Sequence, residues 1–314
     1  MKTLFLGTPA MAVPFLEKLH ELTSVVGVVT NPDQPAGRGY EIKASEVKQA
    51  AMRFKLPVLQ PEKAKDERFI AQIAALQVEV GIAVAYGKLL PAALLKIPKF
   101  GFLNVHFSLL PAYRGAAPIQ WALIHGEKET GVTIFWLDEG MDTGPLCLQK
   151  KIAIEPEDNA DTLRAKLIPL GVQALTEVIE QLKRGQKVAV AQTGPSSHAA
   201  MLKKEDGHIE WNQKAEVLWN RIRGLTPWPG AFCFVANGNS KARLKVLKCR
   251  LYQGNMSGPT GSVVGVKSGT SFIVRCQEGA MEILEVQPEG KKPMSAWAWW
   301  QGSRLKIGDS LESL

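Results

Sequence analysis

No stretch of the sequence approaches about 18 consecutive apolar residues, the length that a membrane-spanning helix requires. The opening Met1-Lys2-Thr3 runs straight into Leu4-Phe5-Leu6-Gly7. That run is too short for the apolar core of a secretory leader, and no small-residue cleavage site follows it, so the expected compartment is the cytoplasm. Cysteine is scarce. Cys147, Cys233, Cys249 and Cys276 lie far apart with no Cys-x-x-Cys, a spacing that supports neither a zinc site nor a disulfide framework and predicts free, buried thiols. Glycine is missing where a dinucleotide site would need it. After the first apolar run the sequence is Gly7-Thr8-Pro9-Ala10-Met11-Ala12, with one glycine in place of Gly-x-Gly-x-x-Gly. There is no Walker A sequence, so neither NAD nor ATP is expected as a cofactor, and no metal. Internal repeats and low-complexity tracts are also absent.

What remains is the composition of an ordinary water-soluble globular chain. Hydrophobic residues make up 46%, charged residues 22%, and the mean hydropathy is −0.04. A length of 314 residues suits one large or two ordinary domains. The net charge of +8 is unevenly spread: residues 209–314 hold 14 Lys and Arg against 8 Asp and Glu, whereas residues 1–208 hold 24 against 22. The last third therefore carries +6 of the excess, enough to meet an anionic partner such as RNA.

The first half alternates apolar runs with amphipathic stretches. Lys2–Gly7, Ser24–Thr30, Val78–Ala85, Phe102–His106 and Val132–Leu137 read as strands, rich in β-branched residues. Ala12–Leu22, Glu46–Phe54, Asp66–Leu76 and a long Asp161–Lys183 read as helices. That alternation predicts an α/β architecture, a doubly wound parallel sheet with helices on both faces. Residues 188–208 are polar and irregular and read as a linker. After a helix at Lys214–Arg223 come Phe232–Val235, Ala242–Leu251, Gly261–Val266, Ser271–Cys276 and Met281–Val286, separated by Gly and Pro. These short alternating segments predict a small antiparallel barrel. Three regions follow: a domain over 1–187, the linker, and a second domain over 209–314. Trp297, Trp299 and Trp300 sit in a helix-like run that predicts packing against the barrel rather than base stacking.

Chemistry concentrates in Asn104-Val105-His106-Phe107-Ser108-Leu109-Leu110-Pro111. Asn104 and His106 are two apart at the end of a strand, so their side chains share a face. Ligands of open α/β sheets collect outside the carboxyl ends of strands. Asp138-Glu139-Gly140-Met141-Asp142-Thr143-Gly144-Pro145 follows the next strand and can bring Asp142 across the same edge. A non-ionising amide, an imidazole titrating near neutrality and a carboxylate suit attack by a neutral amine on a carbonyl. No Ser or Cys stands as an evident nucleophile, which favours direct transfer. The residue pattern alone leaves a structural role open: Asn-x-His at a strand end is often structural, and Asp in a Gly-rich loop serves as a turn former.

Asn104-Val105-His106 with Ser108-Leu109-Leu110-Pro111 and the distant Asp142 resembles the signature of the 10-formyltetrahydrofolate-dependent formyltransferases. Further matching blocks are Phe5-Leu6-Gly7-Thr8-Pro9, Pro32-Asp33-Gln34-Pro35-Ala36-Gly37-Arg38-Gly39, Val84-Ala85-Tyr86-Gly87 and Tyr113-Arg114-Gly115-Ala116-Ala117-Pro118-Ile119-Gln120. Thr130-Gly131-Val132-Thr133, Met141-Asp142-Thr143-Gly144, Pro227-Trp228-Pro229-Gly230 and Gly290-Lys291-Lys292-Pro293-Met294 extend the resemblance nearly to the C-terminus. The resemblance implies a Rossmann-like domain followed by a smaller OB-like antiparallel β-barrel. It implies 10-formyltetrahydrofolate as co-substrate, with charged initiator tRNA (methionyl-tRNA) as acceptor and a monomeric enzyme. A small amine, such as an amino sugar or a nucleotide precursor, is the alternative acceptor. Asn104, His106 and Asp142 would be catalytic, Ser108, Leu109, Leu110 and Pro111 would lie along the folate, and Ala85, Tyr86 and Gly87 would flank the pterin. Arg38 would contact tRNA. Two positions depart from the family pattern. Phe107 replaces a usually small residue and is expected to reshape the pocket beside His106, and Tyr40-Glu41 stand where lysines usually continue, which weakens that loop's electrostatic grip on RNA.

Overall fold

The apolar runs of the first half assemble as neighbouring strands of one sheet. The computed structural model describes residues 1–36, 41–237 and 240–312. The chain divides into two units: Met1–Pro118 with Glu129–Ala153 and Ala165–Ala200, and Ile119–Lys128 with Ile154–Arg164 and Met201–Leu314. In chain order, β1 (Lys2–Gly7) leads to α1 (Val13–Leu22), β2 (Ser24–Val29), the antiparallel pair β3 (Gln34–Ala36) and β4 (Glu41–Lys43), and α2 (Glu46–Arg53). Then come β5 (Val58–Leu59), α3 (Glu67–Ala75), β6 (Val80–Val84), α4 (Ala92–Leu95), β7 (Phe102–His106) and β8 (Arg114–Gly115). α5 (Pro118–Ile124), β9 (Glu129–Trp136), β10 (Leu146–Ala153), α6 (Ala160–Lys183) and β11 (His198–Ala199) follow.

The first unit is built on a seven-stranded sheet of order β10-β9-β7-β6-β1-β2-β5. Its five strands from β5 to β7 are parallel, as the helical crossovers between them require. β9 runs antiparallel to β7 and β10 antiparallel to β9, so the sheet is mixed rather than wholly parallel. β10 ends the sheet with alternating half-buried and exposed residues, the pattern of a one-sided edge strand. Local signals start the helices. Ser45 caps α2 by accepting from the Lys48 N–H at 3.2 Å, and Asp66 caps α3 by accepting from the Arg68 and Phe69 N–H groups at 2.8 and 3.2 Å. α3 buries Phe69 and Ile73 against Leu4, Leu6, Val29 and Phe102, while Phe15 of α1 lies on the other face. From β1 the chain runs outward through β2 and β5 and then returns to start again at β6, which makes the β1/β6 boundary the topological switch point.

Residues 188–208 fall in both units. Residues up to Ala200 belong to the first unit, with β11 paired parallel to β8, and the remainder belongs to the second.

The second unit contains α7 (Ala215–Leu225), β12 (Ala231–Asn237), β13 (Ser240–Leu251), β14 (Val263–Lys267), β15 (Ser271–Arg275), β16 (Ala280–Pro288), β17 (Met294–Ser295) and α8 (Ala296–Gly302). The strands form an antiparallel, curled sheet of order β12-β13-β16-β15-β14, with β17 on β16. Residues 309–312 bridge its two edges: the Val263 N–H donates to the Asp309 carbonyl at 2.8 Å, and the Phe234 N–H to the Glu312 carbonyl at 3.0 Å. Leu311, 2% exposed, seals that junction from within the core. Trp299 and Trp300 pack on Phe272, with ring centroids 5.4 and 5.8 Å away, as the helix-like run predicts.

Glu282 on β16 is 1% exposed and fully bonded. Arg250 donates to it twice at 3.0 Å, Lys267 once at 2.7 Å and Ser271 once at 2.7 Å. Burial alone raises such a carboxyl; these donors outweigh it and hold the group at about 2. A depressed folded value means that the stabilisation is complete above the ordinary 4.5 and is lost as pH falls toward 2. Glu282→Gln should therefore cost about 3 kcal/mol at neutral pH. In thermal melts it should flatten the decline in stability of this unit between pH 4.5 and 2, and an unchanged decline would assign it to other groups.

Candidate active site

Along β7 one face changes character over five residues. Phe102 lies in the apolar cluster with Leu4 and Leu6; Asn104 and His106 follow on the same side. Asn104 is half-buried, in register with Ala83 of β6 and Phe135 of β9. Its side-chain amide makes no hydrogen bond among the described residues. His106 is 5% exposed and meets Phe135 edge-on, with centroids 6.3 Å apart. The His106 Nε2 atom lies 2.8 Å from the Tyr113 carbonyl oxygen. A carbonyl can only accept, so the neutral ring carries its hydrogen on Nε2 and leaves Nδ1 as a lone pair. Nδ1 faces the Asp142 Oδ2 atom at 3.5 Å. Burial pulls the imidazole below its ordinary range; the Asp142 charge and the Tyr113 carbonyl oppose that without cancelling it.

Asp142 arrives by a route the sequence reading did not anticipate. Because β9 is antiparallel to β7, its end at Trp136 lies beside Leu103, away from His106. The chain then turns back over the sheet: the Leu137 N–H donates to the Phe102 carbonyl at 2.7 Å, and Leu137 packs on the same cluster as Phe102. Asp142 is held at the far end of this loop by the Gly115 N–H, which donates to its Oδ2 at 2.8 Å. Gly115 has φ +118°, and a Cβ there would stand 2.6 Å from the Ala199 carbonyl, so only glycine fits. Five non-glycine residues among those described have positive φ. Three of them, Ala85, Tyr113 and Asp142, ring this site, and such concentrations of backbone strain mark functional loops.

The turn after β7 is held by side chains, Thr133 and Gln149 among them. Ser108 is fully buried and its hydroxyl donates to the Ala112 carbonyl at 2.6 Å. That bond shapes the turn. Thr133 donates to the Ser108 carbonyl at 2.6 Å and accepts from the Leu110 N–H at 3.1 Å, and Gln149 donates to the Leu110 carbonyl at 2.9 Å. Leu110 is buried, Leu109 and Pro111 half-buried. Phe107 is buried and meets Phe15 of α1 edge-on at 6.2 Å. Ala85, Tyr86 and Gly87 follow β6 beside β7; Tyr86 is 4% exposed and packs in the apolar cluster, leaving Ala85 and Gly87 at the surface. Arg38 and Tyr40 lie outside the described residues.

Two clefts flank this edge of the sheet. One, of about 490 Å³ at the switch point, is lined by Thr8, Asn31, Ser45, Gly87 and Lys88 among others. The second, of about 480 Å³, has the loop Lys88–Ala92 on one side, Glu139 of the Asp142 loop on another, and Lys63 and Lys65 at its rim. No helix among the described residues is long and apolar enough to cross a membrane.

Family models described as formyl transferase and as formyl transferase, C-terminal domain, match residues 1–179 and 201–304. The methionyl-tRNA formyltransferase of Thermodesulfovibrio yellowstonii is 46% identical over 97% of this chain and 97% of its own length. The protein of that name from Sorangium cellulosum is 44% identical, covering 98% of each chain. Among solved structures, an N-formyltransferase from Helicobacter canadensis, in complex with folinic acid and dTDP-3-aminofucose, superposes with a TM-score of 0.66 at 18% identity. That match covers 90% of this chain and 99% of the other and speaks for the fold. HypX from Aquifex aeolicus in complex with tetrahydrofolic acid superposes over 96% of this chain and 47% of its own, with a TM-score of 0.62 at 15% identity. With both models matched in order along a chain that carries this His–Asp pair at a strand end, the protein belongs to the formyl transferase family.

Proposed function

We propose that this protein transfers the formyl group of 10-formyltetrahydrofolate to the α-amino group of methionyl-initiator tRNA. The observation that carries the reading is the identity of 42–46%, over nearly whole chains, with three proteins named methionyl-tRNA formyltransferase. The site's chemistry supports it. Residues 1–187 hold the reacting groups, and residues 209–314, with their +6 charge, hold the RNA backbone together with Arg38. Lys63, Lys65 and Lys88 give the second cleft a charge that suits the carboxylates of a folate tail, and the backbone of Ala85–Gly87 and of Leu109–Pro111 lines the way to His106. Charged initiator tRNA is a cytoplasmic substrate, which places the enzyme there; it works as a monomer.

His106 and Asp142 handle the proton. The amine nitrogen bonds to the formyl carbon as the carbonyl electrons move to oxygen, and His106 Nδ1 takes the proton that the amine sheds. Asp142, 3.5 Å away, stabilises the imidazolium so formed. The uncommitted Asn104 amide donates to the oxyanion, joined by the charged imidazole. His106 then returns the proton to N10 as the carbon–nitrogen bond to the folate breaks. Burial favours the neutral ring before attack, and the Asp142 charge opposes the loss of basicity that burial brings, with the lone pair on the edge that Tyr113 leaves free.

His106→Ala and Asp142→Ala should each lower kcat about 10²- to 10⁴-fold, and Asn104→Ala about 10²-fold. Filter binding should find tRNA affinity unchanged in all three. Turnover near wild type in the first two would sink the mechanism. Formyl transfer to free amino sugars but not to charged tRNA would move the acceptor to the small-amine class.

The pH profile gives a second check. Removing the Asp142 charge disfavours the imidazolium, so Asp142→Asn should move the acid limb of the kcat profile to lower pH as well as depress the rate. A limb that stays in place would exclude His106 as the proton acceptor.

A further inference from the structure

The stretch from 190 to 199 lies along both loops that hold His106 and Asp142. Val190 and Leu146 exchange backbone hydrogen bonds at 2.9 and 2.7 Å. Ser197 accepts the Tyr113 N–H on its hydroxyl at 2.9 Å and the Arg114 N–H on its carbonyl at 2.9 Å, and Ala199 accepts the Ala116 N–H at 2.9 Å. These bonds fix the loop whose Tyr113 carbonyl orients the imidazole and whose Gly115 N–H holds the carboxylate. Gln192 is bonded to both loops at once. Its Oε1 accepts from Arg114 Nε at 3.2 Å and Nη2 at 2.6 Å; its Nε2 donates to the carbonyls of Asp142 and Gly144, each at 2.8 Å. All of the amide's hydrogen-bonding capacity is spent on these four contacts.

We propose that Gln192 is a positioning residue for the formyl transfer, setting the separation between His106 and Asp142 from outside the reacting face. This rests on the reading of those two residues as the proton-handling pair. Asp142 sits at φ +54°, a conformation that a non-glycine residue keeps only where its surroundings over-determine it. The two bonds from Gln192 restrain the backbone on either side of the carboxylate's approach, and among the described residues Gly115 is the hydrogen-bond donor that restrains its oxygen. With the Gln192 bonds gone the loop relaxes, Oδ2 moves off the imidazole, and the stabilisation of the imidazolium falls. Only an amide of this length supplies two acceptor contacts to Arg114 and two donors to the opposite loop.

Two variants of the full chain separate the parts. Gln192→Leu removes every bond. Gln192→Glu keeps the acceptors for Arg114 but sets a carboxylate against the Asp142 and Gly144 carbonyls. Both should fold, as judged by melting temperature and circular dichroism, bind tRNA and folate with near-wild-type KM, and lose about tenfold to a hundredfold in kcat. Gln192→Leu should move the acid limb of the kcat profile to lower pH, the direction expected of Asp142→Asn, whereas the charge added in Gln192→Glu opposes that movement. A role confined to stability would shift melting and leave that limb in place. Wild-type kcat and an unmoved limb in Gln192→Leu, while Asp142→Asn moves it, would overturn this inference alone. A limb unmoved by Asp142→Asn would instead overturn the reading on which it rests. If Gln192→Leu melts early, its limb is read at a temperature where it is folded, and Gln192→Met, which also removes every bond without adding charge, decides the matter by the same limb.

Discussion

The hydrogen bond from His106 Nε2 to the Tyr113 carbonyl determines what the rest of the site can do. By taking one edge of the ring it leaves Nδ1 as the reactive edge, and every neighbouring feature is arranged about that atom. Gly115, two residues beyond Tyr113, turns the same loop so that its N–H holds Asp142 opposite Nδ1. The ring is buried, so water does not compete for the lone pair and the neutral form is favoured. Had the backbone taken Nδ1 instead, the carboxylate would face a committed edge and the pair could not cycle a proton. One five-residue strand and one turn thus set tautomer, orientation and basicity together.

Much of this was legible in the sequence, for reasons tied to particular elements. β1, β2, β6 and β7 are buried on both sides and so read as continuous apolar runs, and α6 shows a full amphipathic period. The pair Asn104 and His106 was readable because a two-residue spacing on a strand fixes the face whatever the tertiary context. Strand direction was not readable. β9 looks like the parallel strands before it, and only its pairing with β7 shows that the Asp142 loop must return over the sheet. β10 escaped notice because alternation on a half-exposed edge, interrupted by Lys150 and Lys151, leaves no apolar run. Residues 188–208 read as a linker from composition, which carries no record of the polar contacts that Gln192 and Ser197 make with distant loops.

The two units handle buried polar groups differently, and the contrast bears on which of those groups are reactive. Glu282 is saturated by four donor contacts, and Arg223 is enclosed by the Asn220 side chain and the Glu155 and Asp158 carbonyls, with Trp219 4.4 Å away under its guanidinium. A group so enclosed is fixed in one ionisation state and contributes to stability and specificity of fold. Asn104 and the Nδ1 edge of His106 are the opposite case. Their capacity is left open at a strand end, and the protein tolerates the cost where a ligand will supply the partners. The free amide and the free lone pair mark the reacting face more directly than residue type does, since Ser108, polar and adjacent, is fully committed to its own turn.

Gln192 combines both habits. Its amide is saturated, which makes it structural by the same measure as Glu282, yet the groups it saturates belong to the backbone of the open site. A saturated residue adjoining an unsaturated pair is suited to transmit geometry, because its own bonds leave it no alternative arrangement. The sheet fixes Asn104 and His106 through β-ladder bonds that cannot slip without unfolding the strand. Asp142, at the end of a loop that leaves the wrong side of that sheet, has no such ladder, and its position must be supplied from elsewhere. That asymmetry explains why the supporting side chain comes from residues 190–199, remote in sequence from both, and why it bonds to the loop of Asp142 and not to the strand of His106.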